Sequence, residues 1–530
     1  MPTFKLDGRD IPFQPGDTIM RAAWREGVEI PHYCWHPGLS VAANCRMCLV
    51  EVKAERPVMM PVMAWDEAKQ AYVSTTKPKL APSCQQQAVE NQEVFAKSAD
   101  ALKAQQSVQE FLLLNHPVDC PICDQAGECK LQDYWLTSQG TLKRKDTEPV
   151  HKPKAVRFGP TIVYDAERCI MCTRCIRVSD EVAKDHVLDM RERGNRNEIF
   201  VSPGRQLDHE YTLMTEHVCP VGALTSSDFR FKARVWFLRA QRSVCEGCAT
   251  GCNSYMDFDP RNNKVYRLRP RDNEAVNKFW MCDDGMMTYQ RIYEDRVDHG
   301  IVRNGSVAST TPADAFNAAT LALGSVAGGK LAVVLSAIHP TEDNFAAVAF
   351  AKAFGTDKLY LAARGGWMGD DILRNADNNP NRKGAERVAG TLVQGRPLQE
   401  LSALCAAIDA GEVGAVLVLG GETKEIPEQL ISLRKVPTVV LASHIGSLTE
   451  VAAVVVPVSA HGEHDGSFVN AQGISQRFSA AVKPVPGVSH GWEAVAALAS
   501  ALGKSISVAS FNDVRKAALA ASGAEAGASA

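Results

Sequence analysis

The chain has 530 residues, a formal net charge of −3 and 45% hydrophobic residues, which is the composition of a globular protein with several domains. The net charge is small and the basic stretches are short, so neither gives a reason to expect nucleic acid as a partner. No apolar run reaches the roughly 18 residues that a transmembrane helix needs, and the first residues lack the apolar segment of a signal peptide. We therefore predict a cytoplasmic protein that contacts a membrane only through partners.

The first thirty residues predict a β-hairpin followed by a helix. Asp7-Gly8 is typical of the tight turn between two antiparallel strands. The helix is expected to begin near Asp17, a favourable N-cap residue, and to end at Gly27, a residue type common just after a helix.

A second helix is predicted over residues 98–114, before His116-Pro117. Its apolar face is expected to carry Leu102, Val108, Phe111 and Leu112. The Lys- and Pro-rich stretch at 140–160 predicts a linker.

Cysteine is concentrated in the N-terminal half of the chain, where 15 of the 16 cysteines precede residue 283. With one histidine they divide into four sets of four. The first set is Cys34, Cys45, Cys48 and Cys84; the second is His116, Cys120, Cys123 and Cys129; the third is Cys169, Cys172, Cys175 and Cys219; the fourth is Cys245, Cys248, Cys252 and Cys282. Clustered cytosolic cysteines are more often metal ligands than disulfides, and four-ligand sets are what iron–sulfur clusters require. Several clusters in one chain predict a protein that carries electrons over a distance.

The first two sets have distinct spacings. The first set, C-x10-C-x2-C-x35-C, is a widened form of the plant-type [2Fe–2S] pattern. The second set, H-x3-C-x2-C-x5-C, needs His116 as its fourth ligand because no cysteine is left over. A neutral imidazole in place of a thiolate removes one negative charge and should shift the reduction potential of that site.

The third set is ferredoxin-like, with C-x2-C-x2-C completed by the distant Cys219-Pro220. Arg168, Arg174 and Arg177 flank this triplet. They either stabilise a reduced cluster by charge and hydrogen bonds or are ordinary surface arginines. For the first and fourth sets, a structural zinc site is the alternative to a cluster.

After Cys282 the sequence becomes rich in Ala, Val and Gly, with a single further cysteine, Cys405, at a core position of a helical pattern. Apolar, β-branched runs alternate there with helical patterns, at 331–335, 358–361, 415–419, 438–441 and 453–458. This alternation predicts a parallel sheet with helices on both faces. The Ala/Gly/Ser-rich end of the chain, 521–530, predicts a disordered tail.

These motifs resemble those of the large iron–sulfur subunit of NADH:quinone oxidoreductase (complex I), and the resemblance covers nearly the whole chain. The widened first set is similar to the N-terminal ferredoxin domain of that subunit. The second set is also similar to sites in NAD-linked hydrogenases and formate dehydrogenases. The fourth set, C-x2-C-x3-C-x29-C, resembles the [4Fe–4S] site that opens molybdopterin oxidoreductases, and two later segments resemble motifs of that fold: 377–381 (DNNPN) and 463–473 (EHDGSFVNAQG).

The resemblance implies an α/β multi-domain fold. The expected domains are a [2Fe–2S] β-grasp ferredoxin-like domain (1–95), a [4Fe–4S] domain with one histidine and three cysteine ligands (96–145), a ferredoxin-like [4Fe–4S] domain (146–235), a [4Fe–4S] domain that opens the molybdopterin-oxidoreductase region (236–300), a structural α/β domain with a parallel sheet (301–520) and the tail (521–530).

The function that the resemblance implies is electron relay, with no bond-making catalytic residue in this chain. Electrons would arrive from an FMN- and NADH-binding subunit, cross one [2Fe–2S] and two [4Fe–4S] clusters, and leave to a two-cluster ferredoxin-like subunit on the quinone side. The fourth set would hold a third [4Fe–4S] cluster off this path, which suggests a bacterial protein. Its place would be the peripheral arm, beside other arm subunits, on the cytoplasmic side of the inner membrane.

Two departures from the molybdenum-containing relatives imply that no molybdenum cofactor is bound. The molybdopterin-like region is short, and Asp284 stands where active relatives carry Lys or Arg, so that its charge would repel an anionic pterin. The rival functions are the catalytic subunit of an NAD-linked formate dehydrogenase, the relay subunit of an NAD-linked hydrogenase, and a zinc-binding scaffold.

Overall fold

The computed structural model of the chain describes residues 1–53, 58–138, 148–304, 306–394, 396–506 and 510–522. The chain divides into two compact units, Met1–Trp236 and Phe237–Ala530. Part of the predicted linker (140–147) and most of the predicted disordered tail (523–530) lie outside the described residues.

The first unit begins with a five-stranded mixed sheet. Its elements are β1 (Thr3–Leu6), β2 (Arg9–Pro12), α1 (Ile19–Arg25), β3 (Leu49–Lys53), β4 (Met59–Asp66), β5 (Ala71–Pro78), β6 (Ala81–Pro82) and β7 (Glu93–Phe95). The sheet order is β2-β1-β7-β3-β6, and β4 and β5 form a separate hairpin. Phe4, Ile19 and Val50 pack in the core of this region together with Cys48 and Cys84. Two ligands of the first set are therefore held by the sheet's own core.

The helix α1 ends as predicted but begins one residue later. Gly27 has a φ of +67°, the left-handed conformation that follows many helices. The N-cap is Thr18, whose hydroxyl accepts the N–H of Arg21 at 3.2 Å, so the assignment of Asp17 as N-cap was wrong. Asp17 instead forms an ion pair with Arg25 at 2.8 Å.

The rest of the first unit consists of short elements joined by loops. They are α2 (Ala99–Leu113), a 3-10 turn (Cys120–Ile122), α3 (Lys130–Thr137), β8 (Val156–Arg157), β9 (Ile162–Tyr164), α4 (Arg174–Arg177), a π turn (Val178–Val182), β10 (Leu188–Arg191), β11 (Glu198–Val201), α5 (Thr212–His217) and β12 (Leu224–Ser226). β12, β9 and β8 form one small sheet, and β10 pairs with β11.

The extent of α2 agrees with the prediction, but its predicted buried face was wrong. Leu102 is 39% exposed and Phe111 is 72% exposed. The buried side chains are instead Ala101, Gln105 and Gln109, and the Gln105 amide donates to the carbonyl of Ala96 at 3.1 Å. The buried face is therefore made of a small residue and two polar residues, and hydropathy periodicity does not detect such a face.

The second unit opens with a three-stranded antiparallel sheet and continues into a large α/β layer. Its elements are β13 (Arg239–Val244), β14 (Asn253–Asp259), β15 (Lys264–Pro270), α6 (Asp283–Met287), β16 (Gly300–Asn304), β17 (Ser306–Thr310), α7 (Pro312–Gly324), β18 (Leu331–Ser336), α8 (Thr341–Ala353), β19 (Leu359–Ala362), α9 (Arg382–Val393), α10 (Leu401–Asp409), β20 (Ala415–Leu419), a 3-10 helix (Pro427–Lys435), β21 (Thr438–Ala442), α11 (Ser447–Val451), β22 (Val454–Pro457), β23 (Gly466–Val469), β24 (Ser475–Phe478), α12 (Gly491–Ala501) and α13 (Phe511–Ser522).

The five apolar runs found in the sequence correspond to β18–β22, which pair in parallel. Alternate residues of β18 face opposite sides: Val333 belongs to one buried core and Val334 to another. Both faces are covered by helices, as continuous apolar strands require. The sheet is mixed rather than wholly parallel, because the β16–β17 hairpin adds antiparallel strands at its edge, in the order β17-β16-β22-β21-β20-β18-β19.

Candidate metal centres

The four thiols of the first set come together at the end of the N-terminal sheet. Cys34 and Cys45 are linked by a side-chain hydrogen bond, and so are Cys48 and Cys84. Within each pair, that hydrogen bond lowers the pKa of one thiol (Cys34, Cys48) and raises the pKa of the other (Cys45, Cys84). Backbone N–H groups of Asn44 and Cys45 also point at the Cys34 sulfur. Thiols that share protons in this way are placed to exchange those protons for a common metal core.

The second set lies in the loops between α2 and α3. All four members line one cavity, which Arg168 and Gly222 also line. Burial lowers the pKa of His116 to about 4, so its imidazole is neutral at pH 7, as metal ligation requires. A Cβ atom on Gly222 would lie 2.2 Å from the Cys123 sulfur. Only glycine fits at that position.

The third set surrounds a cavity that Tyr164 and Ile199 also line. Met171 and Thr173 alternate with the ligands and have φ values of +54° and +60°. This left-handed backbone turns N–H groups inward, and the Met171 N–H lies 3.5 Å from the Cys169 sulfur. Concave backbone of this kind favours anionic ligands such as a thiolate-bound cluster. Burial raises the pKa of Cys169 to about 11, so a positive core is needed to keep the thiolate form.

The three arginines around the third set are buried, so the interpretation as surface arginines was wrong. Arg168 is 4% exposed and forms ion pairs with Asp119 at 2.9 Å and with Asp165 at 3.4 Å. Arg174 and Arg177, on α4, are 8% and 9% exposed. Their charges therefore act in a poorly solvated interior.

The third set adjoins both of the others in the first unit. Arg177 donates hydrogen bonds to the carbonyl oxygens of both Cys34 and Cys172. On the other side, Gly222, three residues after Cys219, lies against the Cys123 sulfur. Tyr33 lies close to ligands of both the first and the second set: burial raises its pKa, and the charges of Cys129 and Cys45 raise it further.

The fourth set lies in the second unit, and all four cysteines are buried. Cys282 caps α6, and its sulfur accepts the Gly285 N–H at 3.3 Å. The Cys245 sulfur accepts the Gly247 N–H at 3.3 Å. N–H groups directed at sulfur stabilise thiolates over thiols, which suits a cluster and a zinc ion alike.

Among the residues that the structure describes, no group of three or more His, Cys, Asp or Glu side chains is placed to hold one metal ion between its members. The cavities of the second and third sets are instead lined by four ligands each. Four ligands that face a shared cavity are the arrangement that a polynuclear iron–sulfur core needs.

Asp284 is not an isolated charge. Its carboxylate pairs with Arg374 at 2.9 Å. The pair is formally neutral, so repulsion by Asp284 alone does not decide whether an anionic cofactor is excluded.

A partly buried ionic network that the sequence did not indicate lies beside the fourth set. Arg291 bonds to Glu246 at 3.1 Å and to Glu422 at 2.6 Å, and Arg364 bonds to Glu422 at 3.2 Å. Burial would raise the pKa of Glu246, but Arg291, His461 and Arg364 outweigh it and hold that pKa at about 2. Glu422 follows β20, at the carboxyl edge of the parallel strands, where ligands of such folds bind. Sequence separation hid the network, since Arg291 and Glu422 are 131 residues apart.

Five family models match successive parts of the chain and together cover most of it. They are the 2Fe-2S iron-sulfur cluster binding domain (1–98), the NADH-ubiquinone oxidoreductase-G iron-sulfur binding region (105–139), the NADH-quinone oxidoreductase subunit 3 ferredoxin-like domain (159–225), the molybdopterin oxidoreductase Fe4S4 domain (238–294) and molybdopterin oxidoreductase (328–501).

The curated relatives that the chain matches are also subunits of NADH-quinone or NADH-ubiquinone oxidoreductases. The G-type subunit of the NADH-quinone oxidoreductase of Rickettsia prowazekii is 35% identical over 64% of this chain and 47% of its own length. The chain is a homologue of the G-type subunit of NADH-quinone oxidoreductase. The corresponding subunit of Mycobacterium tuberculosis is 33% identical over 69% of the chain and 43% of its own length. The 75 kDa subunit of the NADH-ubiquinone oxidoreductase of Reclinomonas americana is 33% identical over 71% and 52%.

This G-type homologue spans about half the length of the curated relatives it matches. Among solved structures, a chain of an NAD+-reducing [NiFe]-hydrogenase in the H2-reduced state is 27% identical, with a TM-score of 0.36, over 44% of this chain and 91% of its own. Acetylene hydratase from Pelobacter acetylenicus is 9% identical, with a TM-score of 0.37, over 50% and 69%. Within the described residues, no helix combines the length and apolar character needed to cross a membrane.

Proposed function

We propose that this chain is an electron-relay subunit of an NADH:quinone oxidoreductase. The observation that carries the proposal is the set of three adjoining four-ligand sites in the first unit of a G-type homologue. The sites fit one [2Fe–2S] cluster in the first set and [4Fe–4S] clusters in the second and third sets, with another [4Fe–4S] cluster in the fourth. When bound, such clusters accept and release one electron at a time.

The protein's own contribution is to hold the ligands and to set the charge around them. Burial lowers the pKa of His116 and keeps its imidazole neutral, so the second site carries one negative charge fewer than an all-cysteine site. That difference should raise its reduction potential relative to an all-cysteine site, as replacing cysteine by histidine does in Rieske centres.

The route that we propose runs from the first set to the third and then to the second. The third set adjoins both others through Arg177 and Gly222. Electrons would enter from an FMN- and NADH-binding subunit and leave to a two-cluster ferredoxin-like subunit, within a peripheral arm on the cytoplasmic side of a bacterial membrane. The second unit, from residue 237 onward, would be structural, with the fourth set off the route and no molybdenum cofactor. The finer division into the six expected segments belongs to the same proposal.

Metal content of the anaerobically purified chain tests the proposal. We expect about 14 iron atoms per chain, from one [2Fe–2S] and three [4Fe–4S] clusters, with neither molybdenum nor tungsten. About one molybdenum or tungsten atom per chain would favour a formate dehydrogenase instead. A colourless protein that contains zinc would support a structural scaffold.

The second site can be tested separately through its histidine. The His116→Ala variant should lose one [4Fe–4S] signal in electron paramagnetic resonance (EPR) spectra, since one ligand of four is removed. The His116→Cys variant should keep that signal at a lower potential. The control is His151→Ala, since His151 is exposed and pairs with Glu167. Unchanged spectra in His116→Ala would contradict the ligand assignment.

A further inference from the structure

Arg174 and Arg177 are buried cations without an anionic partner among the residues that the structure describes. A guanidinium stays protonated in proteins, so both side chains bring full positive charges into the interior. Within the described parts of the chain, all of their hydrogen-bond acceptors are neutral backbone carbonyls. Arg168 differs, because it pairs with Asp119 and Asp165. A buried charge without a counter-ion is strongly unfavourable, so a counter-charge is needed.

The carbonyls that bind the two arginines come from two different metal sites. Arg174 donates to two oxygens, those of Trp35, beside Cys34, and of Val218, beside Cys219, the latter at 3.1 Å. Arg177 donates to three oxygens, those of Cys34, Ser40 and Cys172, the last at 3.2 Å. Each guanidinium therefore bridges the ligand loops of the first and third sets. In both residues the Nε atom is buried and has no hydrogen-bond partner.

We infer that Arg174 and Arg177 are positioning residues that serve as shared counter-charges for the clusters of the first and third sets, and that each arginine raises the reduction potential of both clusters. This inference rests on the proposed function, since it requires clusters in both sites. Four thiolates outweigh the positive charge of an iron–sulfur core, so the ligated cluster is an anion that becomes more negative on reduction. A nearby cation in a poorly solvated interior therefore stabilises the reduced form.

The experiment is a redox titration of the full chain, purified anaerobically and monitored by EPR. Arg174→Gln and Arg177→Gln remove the charge and keep a donor, whereas Arg174→Lys and Arg177→Lys keep the charge. Arg191→Gln is the matched control, because Arg191 is exposed and pairs with Glu198 at 2.6 Å.

We expect each glutamine variant to lower the potentials of the first-set and third-set clusters together and to leave that of the second set unchanged. At a fixed solution potential, the ratio of reduced to oxidised cluster should fall by about tenfold in both, which corresponds to about 59 mV for a one-electron couple. The lysine variants and Arg191→Gln should change this ratio by less than about threefold.

Wild-type potentials in iron-replete glutamine variants, or a shift in one cluster alone, would overturn the inference and leave the proposed function intact. If the glutamine variants lose iron from the first and third sets, lysine variants that keep it would support the counter-charge. Equal iron loss in the lysine variants would overturn it, because the shape of the guanidinium, and not its charge, would then hold the sites. A wild-type chain without cluster signals would instead refute the proposed function.

Discussion

Gly222 has no side chain, and this leaves room for the sulfur of Cys123, a predicted ligand of the second set. An alanine Cβ would lie 2.2 Å from the Cys123 sulfur and 3.1 Å from the Gln125 Cβ. Because the sulfur would be held by its cluster, it cannot move aside. We expect Gly222→Ala to lose the second-set cluster, about four iron atoms per chain, measured by iron analysis and EPR. Gly329→Ala is the control, since nothing lies within 4 Å of its Cβ position. Full iron content in Gly222→Ala would contradict the placement of Cys123.

Glu342 gives the second unit a pH-dependent stability. It is buried, and its carboxyl oxygens accept the Ser467 hydroxyl at 2.8 Å and the Ser467 N–H at 2.9 Å. Burial raises its pKa from 4.5 to about 7, so the folded state holds this proton more tightly than the unfolded chain does. Its stabilising contribution is therefore complete below pH 4.5, declines as the pH rises, and is lost above about pH 7.

The Glu342→Gln variant should remove this dependence. Between about pH 5 and about pH 8, the wild-type second unit should lose on the order of 3 kcal/mol that the variant does not lose. Thermal unfolding of the second unit at several pH values measures the difference. Glu428→Gln, at an exposed position, should behave as wild type. Parallel pH profiles for wild type and Glu342→Gln would refute the role of Glu342.

Among the elements, α9 contains two glycines with opposite expected responses to alanine. Gly390 has open space at its Cβ position, whereas a Cβ on Gly384 would lie 2.0 Å from the Asn381 side-chain oxygen. Gly390→Ala should stabilise the second unit by about 0.5–1 kcal/mol, because alanine loses less backbone entropy in a helix. Gly384→Ala should destabilise it by about 1–3 kcal/mol through overpacking. Thermal unfolding compares the two, and destabilisation by Gly390→Ala would contradict the placement of α9.

Sequence patterns predicted some elements well and others poorly, for physical reasons. The apolar runs that became β18–β22 were detectable because strands buried on both faces need apolar residues at every position. The buried face of α2 was not detectable, because it contains two polar residues, Gln105 and Gln109, and of the two only the amide of Gln105 donates a hydrogen bond within the described part of the chain, to the carbonyl of Ala96. The β4–β5 hairpin, which lies between Cys48 and Cys84 of the first set, was not predicted from the sequence.

The same division applies to the sites. The grouping of the ligands was predicted from their spacing, since each set keeps two or three members close in sequence, and for His116 from the lack of a leftover cysteine. The adjacency of the third set to the first depends on contacts such as Arg177 to Cys34, 143 residues apart. The ionic network of Arg291 and Glu422 likewise joins distant segments. No local pattern encodes such tertiary contacts, so they required the structure.

On the scale of the whole molecule, the two units should respond differently to removal of iron. The first unit consists of small sheets and loops, and two first-set cysteines are part of its N-terminal core. The second unit has a seven-stranded sheet covered on both faces. Because metal binding contributes to folding free energy, the iron-free chain should exchange amide hydrogens rapidly over 159–226 and keep protection in β18, β20 and β21.

Hydrogen exchange with mass spectrometry on iron-loaded and iron-free chains measures this difference. Segments of the second unit distant from the fourth set, such as α8, provide an internal control, since no ligand set lies on that helix. Equal loss of protection in both units would contradict independent stabilisation of the second unit by its apolar core.

The third set, which adjoins both other sites of its unit, also has the last ligand of the three to be synthesised. All ligands of the first and second sets leave the ribosome before Cys219 does. Since chains begin to fold during translation from the N-terminus, the first two sites can be shaped while the third still lacks its fourth ligand. A nascent or truncated chain that stops before Cys219 would contain all ligands of the first and second sets. It would lack one ligand of the third set, which adjoins both of them. The order of the ligands along the gene thus makes the third set, which adjoins the other two, the last of the three sites to acquire all of its ligands.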